Sequence, residues 1–208
     1  MEDRLSLLSN RVGFVFVLMY VLTLSGCAVT TPSQYYLLSP VKEKTETSVP
    51  DADKLHIIGV GPIKFPKYLN RSPIVRFSGE NKVEVDEFNR WAEPLEQNFS
   101  HVMRINLTRL VASSYALEYP WKRMMKVQYQ VILEVHQFGA QADNNVKLYA
   151  HWAILNLSKN KKIEIVRKFK YSRKLDTVNY QTIVAEQSRA LGKLSQDIAK
   201  EMQRLMDR

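Results

Sequence analysis

Cysteine is nearly absent from this sequence, which has a single residue of that type, Cys27, among 208. One cysteine excludes an intramolecular disulfide, so the fold must rest on a hydrophobic core. Glycine and proline are also scarce, at 7 and 8 residues, while 45% of the residues are hydrophobic. That composition excludes disorder over most of the chain and predicts a folded domain.

Long hydrophobic runs are absent too. Residues 12–24 form an uncharged apolar run of 13 residues, which as a helix would span roughly 20 Å, against roughly 30 Å for a bilayer core. This length is typical of the apolar part of a signal peptide. The run ends in Leu24-Ser25-Gly26-Cys27, which resembles the bacterial lipobox. We therefore predict a lipoprotein signal peptide at 1–26 and lipidation at Cys27, the alternative being an ordinary signal peptide with an incidental cysteine.

Acidic residues are fewer than basic ones, 21 against 30, and the formal net charge is +9. Such a surface favours an anionic membrane, nucleic acid or an acidic protein as partner. Export would remove nucleic acid from this set. By resemblance to Gram-negative lipoproteins, Ala28 after the cysteine indicates the outer membrane, with the domain facing the periplasm.

After a short lipidated tether at 27–34, the patterns predict one α+β domain at 35–208. Two long amphipathic helices are expected, one from near Pro94 to before Tyr119-Pro120 and one at 180–206. Strands are expected at 35–38, 55–63, 74–77, 83–85, 126–138, 146–157 and 163–171, and 42–54 is a polar loop. The last three strands, joined by short polar turns, predict an antiparallel meander, so the fold class is antiparallel sheet packed against two helices.

Motifs for catalysis are missing. No nucleophile elbow, phosphate loop, dinucleotide fingerprint or zinc-protease motif occurs. Glu134 and His136 have a weak metal-like spacing that is more typical of a solvated pair, so no metal and no cofactor beyond the Cys27 lipid is predicted. An acidic cluster of Glu84, Asp86, Glu87 and Glu93 leaves a periplasmic hydrolase as an alternative, although acids also favour a helix start.

A run of basic and aromatic residues at 167–174 has a period of two. This layout predicts a lysine-rich edge or solvent face, since such charges discourage unwanted strand pairing. Contact with a partner or a lipid headgroup remains an alternative.

Three blocks together carry a family resemblance: Tyr35-Tyr36-Leu37-Leu38, residues 58–63 with 66–71, and residues 88–95. In order and spacing they resemble the PqiC (YmbA) family of ABC-type transport auxiliary lipoproteins, over most of residues 35–115. The resemblance implies an outer-membrane lipoprotein without catalytic activity. It would assist lipid transport between membranes with an MCE-domain tunnel protein and maintain envelope integrity.

The resemblance also implies partners and assembly. The expected partners are an MCE-domain protein and the phospholipid surface, and the family is associated with ring-like oligomers, although the sequence does not decide whether this chain forms them. Tyr68, Arg90 and Trp91 are the candidates for an exposed contact patch, with core packing of Tyr68 and Trp91 as the alternative. A second functional hypothesis is a structural envelope lipoprotein that supports a secretion or cell-wall assembly.

Overall fold

A computed structural model describes residues 31–42 and 55–207. The predicted signal peptide, Cys27 and nearly all of the predicted loop lie outside these ranges. The described residues from Ser33 onwards belong to one compact unit. Within the described residues, no helix combines the length and the apolar character needed to cross a membrane.

The described part of this unit contains eight strands and two helices. The helices are α1 (Leu95–Leu110) and α2 (Tyr180–Met206). In chain order the strands are β1 (Gln34–Tyr36), β2 (His56–Lys64), β3 (Pro73–Phe77), β4 (Val83–Trp91), β5 (Ser114–Glu118), β6 (Tyr129–Ala140), β7 (Asn145–Asn156) and β8 (Lys162–Lys174). This confirms the predicted α+β class.

The larger sheet has five strands in the order β5-β2-β6-β7-β8. Strands β6, β7 and β8 form the predicted antiparallel meander. Strand β2 instead pairs in parallel with both of its neighbours, β5 and β6. Strand β8 therefore forms one edge of this sheet and β5 forms the other.

The smaller sheet has three strands in the order β1-β4-β3. Strands β3 and β4 form the hairpin that the turn at 78–81 predicts, and β1 adds in parallel to β4. Because β4 runs on to Trp91, Glu84, Asp86 and Glu87 lie on a strand. The interpretation that the acidic residues lie at the start of a helix is therefore wrong for these three. It holds only for Glu93, which lies just before α1.

Alternating residues of the large sheet pack against the two helices. The inward set includes Val131, Leu133, Leu148 and Trp152, all of them buried. They meet apolar side chains of the helices, such as Phe99, whose ring lies edge-on to Phe138 at 5.4 Å. Val184, Leu191 and Ile198 of α2 are buried as well, so the apolar stripe of α2 is a core face, as its spacing predicts.

The predicted first helix was too long. Helix α1 ends at Leu110, and the chain then turns through Ser113, which has a positive φ of 49°, into β5. Ser114 Oγ donates a hydrogen bond of 2.9 Å to the carbonyl of Val111. After this turn the chain runs alongside β2, and residues 114–118 form strand β5. This strand was not predicted, because the apolar residues keep their helical spacing up to Val111.

Candidate functional site

One side of the five-stranded sheet is turned away from the helices, and we call it the open face. Paired residues of antiparallel strands point to the same side, so the register fixes which side chains share this face. Each row joins one residue of β6, one of β7 and one of β8. In order along the sheet, the rows are Gln130-Leu155-Ile163, Ile132-Ala153-Val166, Glu134-His151-Lys168 and Gln137-Tyr149-Lys170.

The first two rows form an apolar half, made of Leu155, Ile163, Ile132, Ala153 and Val166. On the edge strand, Ile163 and Val166 are 59% and 61% exposed. A groove of about 190 Å³ runs here. Its lining includes the apolar residues Pro62, Ile132, Ala153 and Val166, and at its end towards the next row it also includes Lys64, Glu134 and His151. Exposed β-branched residues on an edge strand promote aggregation with other chains unless a ligand or partner covers them.

The next rows form a basic half, which holds Lys168, Lys170 and, one row further, Lys147. A second groove of about 450 Å³ is lined by Gln137, Lys147, Tyr149, Lys170 and Ser172, together with parts of Leu148 and Tyr171. The basic run at 167–174 is thus split between two sides of β8, as its period of two predicts. Lys168 and Lys170 lie on the open face, whereas Arg167 and Arg173 lie on the other side.

Three rings lie together inside the basic half. His136 stands at a bulge in β6, and its ring is 4.5 Å from that of His151 and 5.1 Å from that of Tyr149. The hydroxyl of Tyr149 lies 2.7 Å from His151 Nε2, and the ammonium of Lys170 lies 5.4 Å from the centre of the Tyr149 ring. His136 therefore belongs to a ring cluster. Among the described residues, no group of three or more His, Cys, Asp or Glu side chains could hold a metal.

A short segment between β5 and β6 covers β2. Trp121 packs so closely on Gly59 that an added Cβ there would lie 2.5 Å from the tryptophan ring. The Trp121 ring meets Tyr119 edge-on at 5.5 Å. In the same segment Met124 is 78% exposed and is preceded by two exposed basic residues, Lys122 and Arg123. Segment 119–126 is therefore a second exposed surface of basic and apolar character.

Two buried asparagines of α1 fix the start of the domain. Asn98 Oδ1 accepts a hydrogen bond of 2.7 Å from the backbone N–H of Leu38, and Asn106 Oδ1 accepts one of 2.8 Å from that of Val41. Asn106 also donates to Ser195 Oγ on α2, at 2.9 Å. These two residues hold the chain that leads from the predicted tether against the helix pair. The sequence offered no signal for this beyond two polar residues on the apolar side of α1.

The three predicted contact residues do not form one exposed patch. Trp91 is 3% exposed and packs in the core, so its prediction as a contact residue is wrong and the core alternative holds. Tyr68 is half-buried, its ring lies edge-on to Phe77 at 5.8 Å, and burial raises its pKa. Arg90 is also only partly exposed, at 33% of its side chain, and it pairs with Glu87 at 3.2 Å.

Residues of the acidic cluster form hydrogen bonds and ion pairs with neighbouring residues. Burial raises the pKa of Asp86, but hydrogen bonds from the side chain and backbone of Asn89 and the backbone of Phe88 outweigh it, so the net shift is downward. Glu93 accepts a hydrogen bond from Asn98. These bonds support the strand and the start of α1, and they give no reason to pair the carboxylates for hydrolysis.

Comparison with known families decides the classification. A model described as the ABC-type transport auxiliary lipoprotein component matches residues 36–199. The chain belongs to this family. Membership makes it a lipoprotein of the cell envelope, associated with an ABC transport system. The match covers the first block from its second residue, the other two blocks and the meander. No curated protein matches it significantly.

Solved structures share the fold at low identity. An uncharacterised protein is 19% identical with a TM-score of 0.68, over 83% of this chain and 99% of the other. A protein from Xanthomonas campestris is 12% identical with a TM-score of 0.61, over 79% and 92%. A dodecameric PelC from Paraburkholderia phytofirmans is 10% identical with a TM-score of 0.40, over 72% and 93%. The first two support the fold alone.

Proposed function

We propose that this chain is an outer-membrane lipoprotein that serves, without catalytic activity, as an accessory subunit of an MCE-type lipid transport system. Residues 1–26 would be removed, Cys27 would carry the lipid and 35–208 would face the periplasm. The observation that carries the proposal is the family match over residues 36–199. Its partner would be an MCE-domain tunnel protein, as the resemblance to the PqiC family implies.

The attachment of the domain supports action close to a bilayer. Six residues, 28–33, separate Cys27 from Gln34, the first residue of β1, and an extended chain over this span of seven Cα–Cα steps reaches at most about 25 Å. The contacts of Asn98 and Asn106 hold the chain just beyond this point against α1 and α2. A lipid on Cys27 would therefore keep the domain within one short tether of the membrane surface.

The surface supports a binding role over a catalytic one. The open face and segment 119–126 both combine basic with exposed apolar side chains, which suits phospholipid or an amphipathic partner. Of the acids of the hydrolase alternative, Asp86, Glu87 and Glu93 bond to neighbouring residues, and none of the four lines a groove described above. A small ligand or protein surface can be bound by such faces without any reacting group.

In-cell crosslinking tests the proposal. A photo-reactive amino acid replaces Met124 in segment 119–126 or, as a control, Gln196 on the exposed side of α2, and the adducts are identified by mass spectrometry. We expect an MCE-domain protein as the main adduct of the Met124 position, and increased envelope permeability when the gene is deleted. Adducts only with secretion or cell-wall proteins would instead support the structural alternative. Crosslinks between copies would show a ring or another homo-oligomer.

A further inference from the structure

We propose that the open face binds a single anionic phospholipid, with its phosphate on the basic half and an acyl chain along the apolar half. The proposal rests on the proposed function and adds to it the site that holds the transported molecule. It is argued from the order of side chains along β6, β7 and β8.

The two halves follow each other along the strands. Val166 and Lys170 are four residues apart on β8, which corresponds to about 13 Å at about 3.3 Å per residue. The apolar groove and the basic groove are lined by these successive rows. An elongated ligand lying parallel to the strands would therefore meet apolar side chains at one end and lysines at the other.

Charge selects an anionic headgroup. Lys147, Lys168 and Lys170 lie on the basic half, and Glu134 is the single acid in the rows of the open face. An ammonium group binds a phosphate as a point charge. The row of Lys170 also holds Tyr149, whose hydroxyl contacts His151 Nε2. Exposed lysines at one end of a face favour a phosphodiester over a neutral apolar ligand.

The layout favours one lipid molecule over a flat bilayer contact. A face that rests on a membrane buries its apolar residues at the centre of a basic rim. Here the apolar residues Ile163 and Val166 lie at one end of β8, and Lys168 and Lys170 follow towards the other end. This segregation matches the two ends of one phospholipid.

The experiment uses the full mature lipoprotein, anchored in nanodiscs of neutral phosphatidylcholine. The probe is a short-chain phosphatidylglycerol with a diazirine in its acyl chain, present as monomers below its micelle concentration. After illumination, the labelled peptides are mapped by mass spectrometry. We expect adducts on the peptides of β6, β7 and β8 that hold Ile132, Ala153 and Val166, and competition by unlabelled phosphatidylglycerol but not by glycerol phosphate.

Two matched pairs of variants separate the face from general charge and folding. Lys168→Glu with Lys170→Glu should reduce labelling at least about tenfold, since each basic residue near an anionic lipid contributes a substantial part of binding. Arg167→Glu with Lys200→Glu makes the same change in charge away from the open face and should alter labelling less than about twofold. Val166→Asp should also reduce labelling, whereas Val83→Asp on β4 should not.

Several results would overturn the inference. The first is labelling that is spread over the whole surface, and the second is an equal loss of labelling in both charge variants. The other two are labelling that occurs only when the probe is presented in vesicles, and evidence that a second copy of the protein covers the open face in place of lipid. The outcome is independent of the MCE partner, because no partner protein is present in the assay. Lipid labelling without a partner in cells would leave this site standing while the proposed function fails.

Discussion

At the residue scale, Gly59 controls how the segment 119–126 sits on the sheet. Its added Cβ would lie 2.5 Å from Trp121, closer than real contacts allow. We expect Gly59→Ala to lower the free energy of unfolding by about 1–3 kcal/mol, because the ring must move out of its place. Urea denaturation measures this loss, and a red shift in tryptophan fluorescence would report the displaced ring.

Gly79 provides the control for this substitution. It lies in the β3–β4 turn, where an added Cβ would meet only Lys82, at an ordinary 3.9 Å. Gly79→Ala should leave both stability and fluorescence nearly unchanged. Equal effects of the two substitutions would show that close packing of Trp121 on Gly59 does not matter for the fold.

Tyr180, the first residue of α2, links stability to alkaline pH. Burial, and after it the hydrogen bond and charge of Asp86, raise the pKa of Tyr180 to about 12. A phenol whose pKa is higher in the folded state stabilises the fold below the unfolded value near 10 and loses that contribution as pH rises towards 12. Because the side chain is partly exposed, we expect a loss of about 1–2 kcal/mol over this window.

Unfolding measured from pH 8 to pH 12 tests this linkage. Tyr180→Phe should show a smaller decline than the unsubstituted protein, with some decline left because burial also raises the pKa of Tyr68 and of Tyr171. Tyr35→Phe, on an exposed tyrosine, should not alter the slope. Identical slopes for all three proteins would contradict the assignment to Tyr180.

At the element scale, Asn106 joins three parts of the chain. It is fully buried on α1, accepts from the backbone of Val41 and donates to Ser195 on α2. We expect Asn106→Ala to cost about 2–4 kcal/mol, because it leaves buried polar groups unpaired. Hydrogen exchange should also show that the amide of Val41 loses its protection.

Gln97 is the matched control on the same helix. Its side chain is exposed, so Gln97→Ala should change neither stability nor exchange. If Asn106→Ala destabilises the protein while Val41 stays protected, the segment at 36–41 is held by its apolar contacts, such as buried Leu38, and not by the asparagine.

Helices and strands that have a periodic pattern of their own could be predicted from the sequence, whereas the strands with which they pair could not. The stripe on α2 placed that helix at 180–206, and alternation placed β6, β7 and β8. Strand β5 was missed because Leu110 and Val111 continue the helical spacing of α1 up to the turn at Ser113. The parallel position of β2 between β5 and β6 depends on pairing between distant parts of the chain, which periodicity does not contain.

The same difference applies to side-chain positions. Those that depend on one strand could be predicted, and those that depend on several strands could not. The alternation at 167–174 placed Lys168 and Lys170 on one side of a strand. By contrast, the ring cluster depends on register across two strands and on the bulge at His136, so no spacing within one strand could predict it. Trp91 was misjudged because an aromatic next to an arginine suits an exposed patch as well as the end of a buried strand.

At the scale of the whole molecule, we propose a domain that works by binding and by its position at a membrane. The family match, the short tether and the two basic and apolar surfaces all agree with this description. Both proposals place the domain close to a membrane, and the proposed lipid on Cys27 would keep it there. The anchor at Cys27 therefore carries the greatest weight.

Mass spectrometry of the mature protein, purified from bacterial envelopes, tests that anchor most directly. We predict an N-terminal peptide that begins at Cys27 and carries a diacylglyceryl group and an N-linked acyl chain, with residues 1–26 absent. An N-terminal peptide with a free thiol at Cys27, or a mature chain that retains residues 1–26, would contradict it.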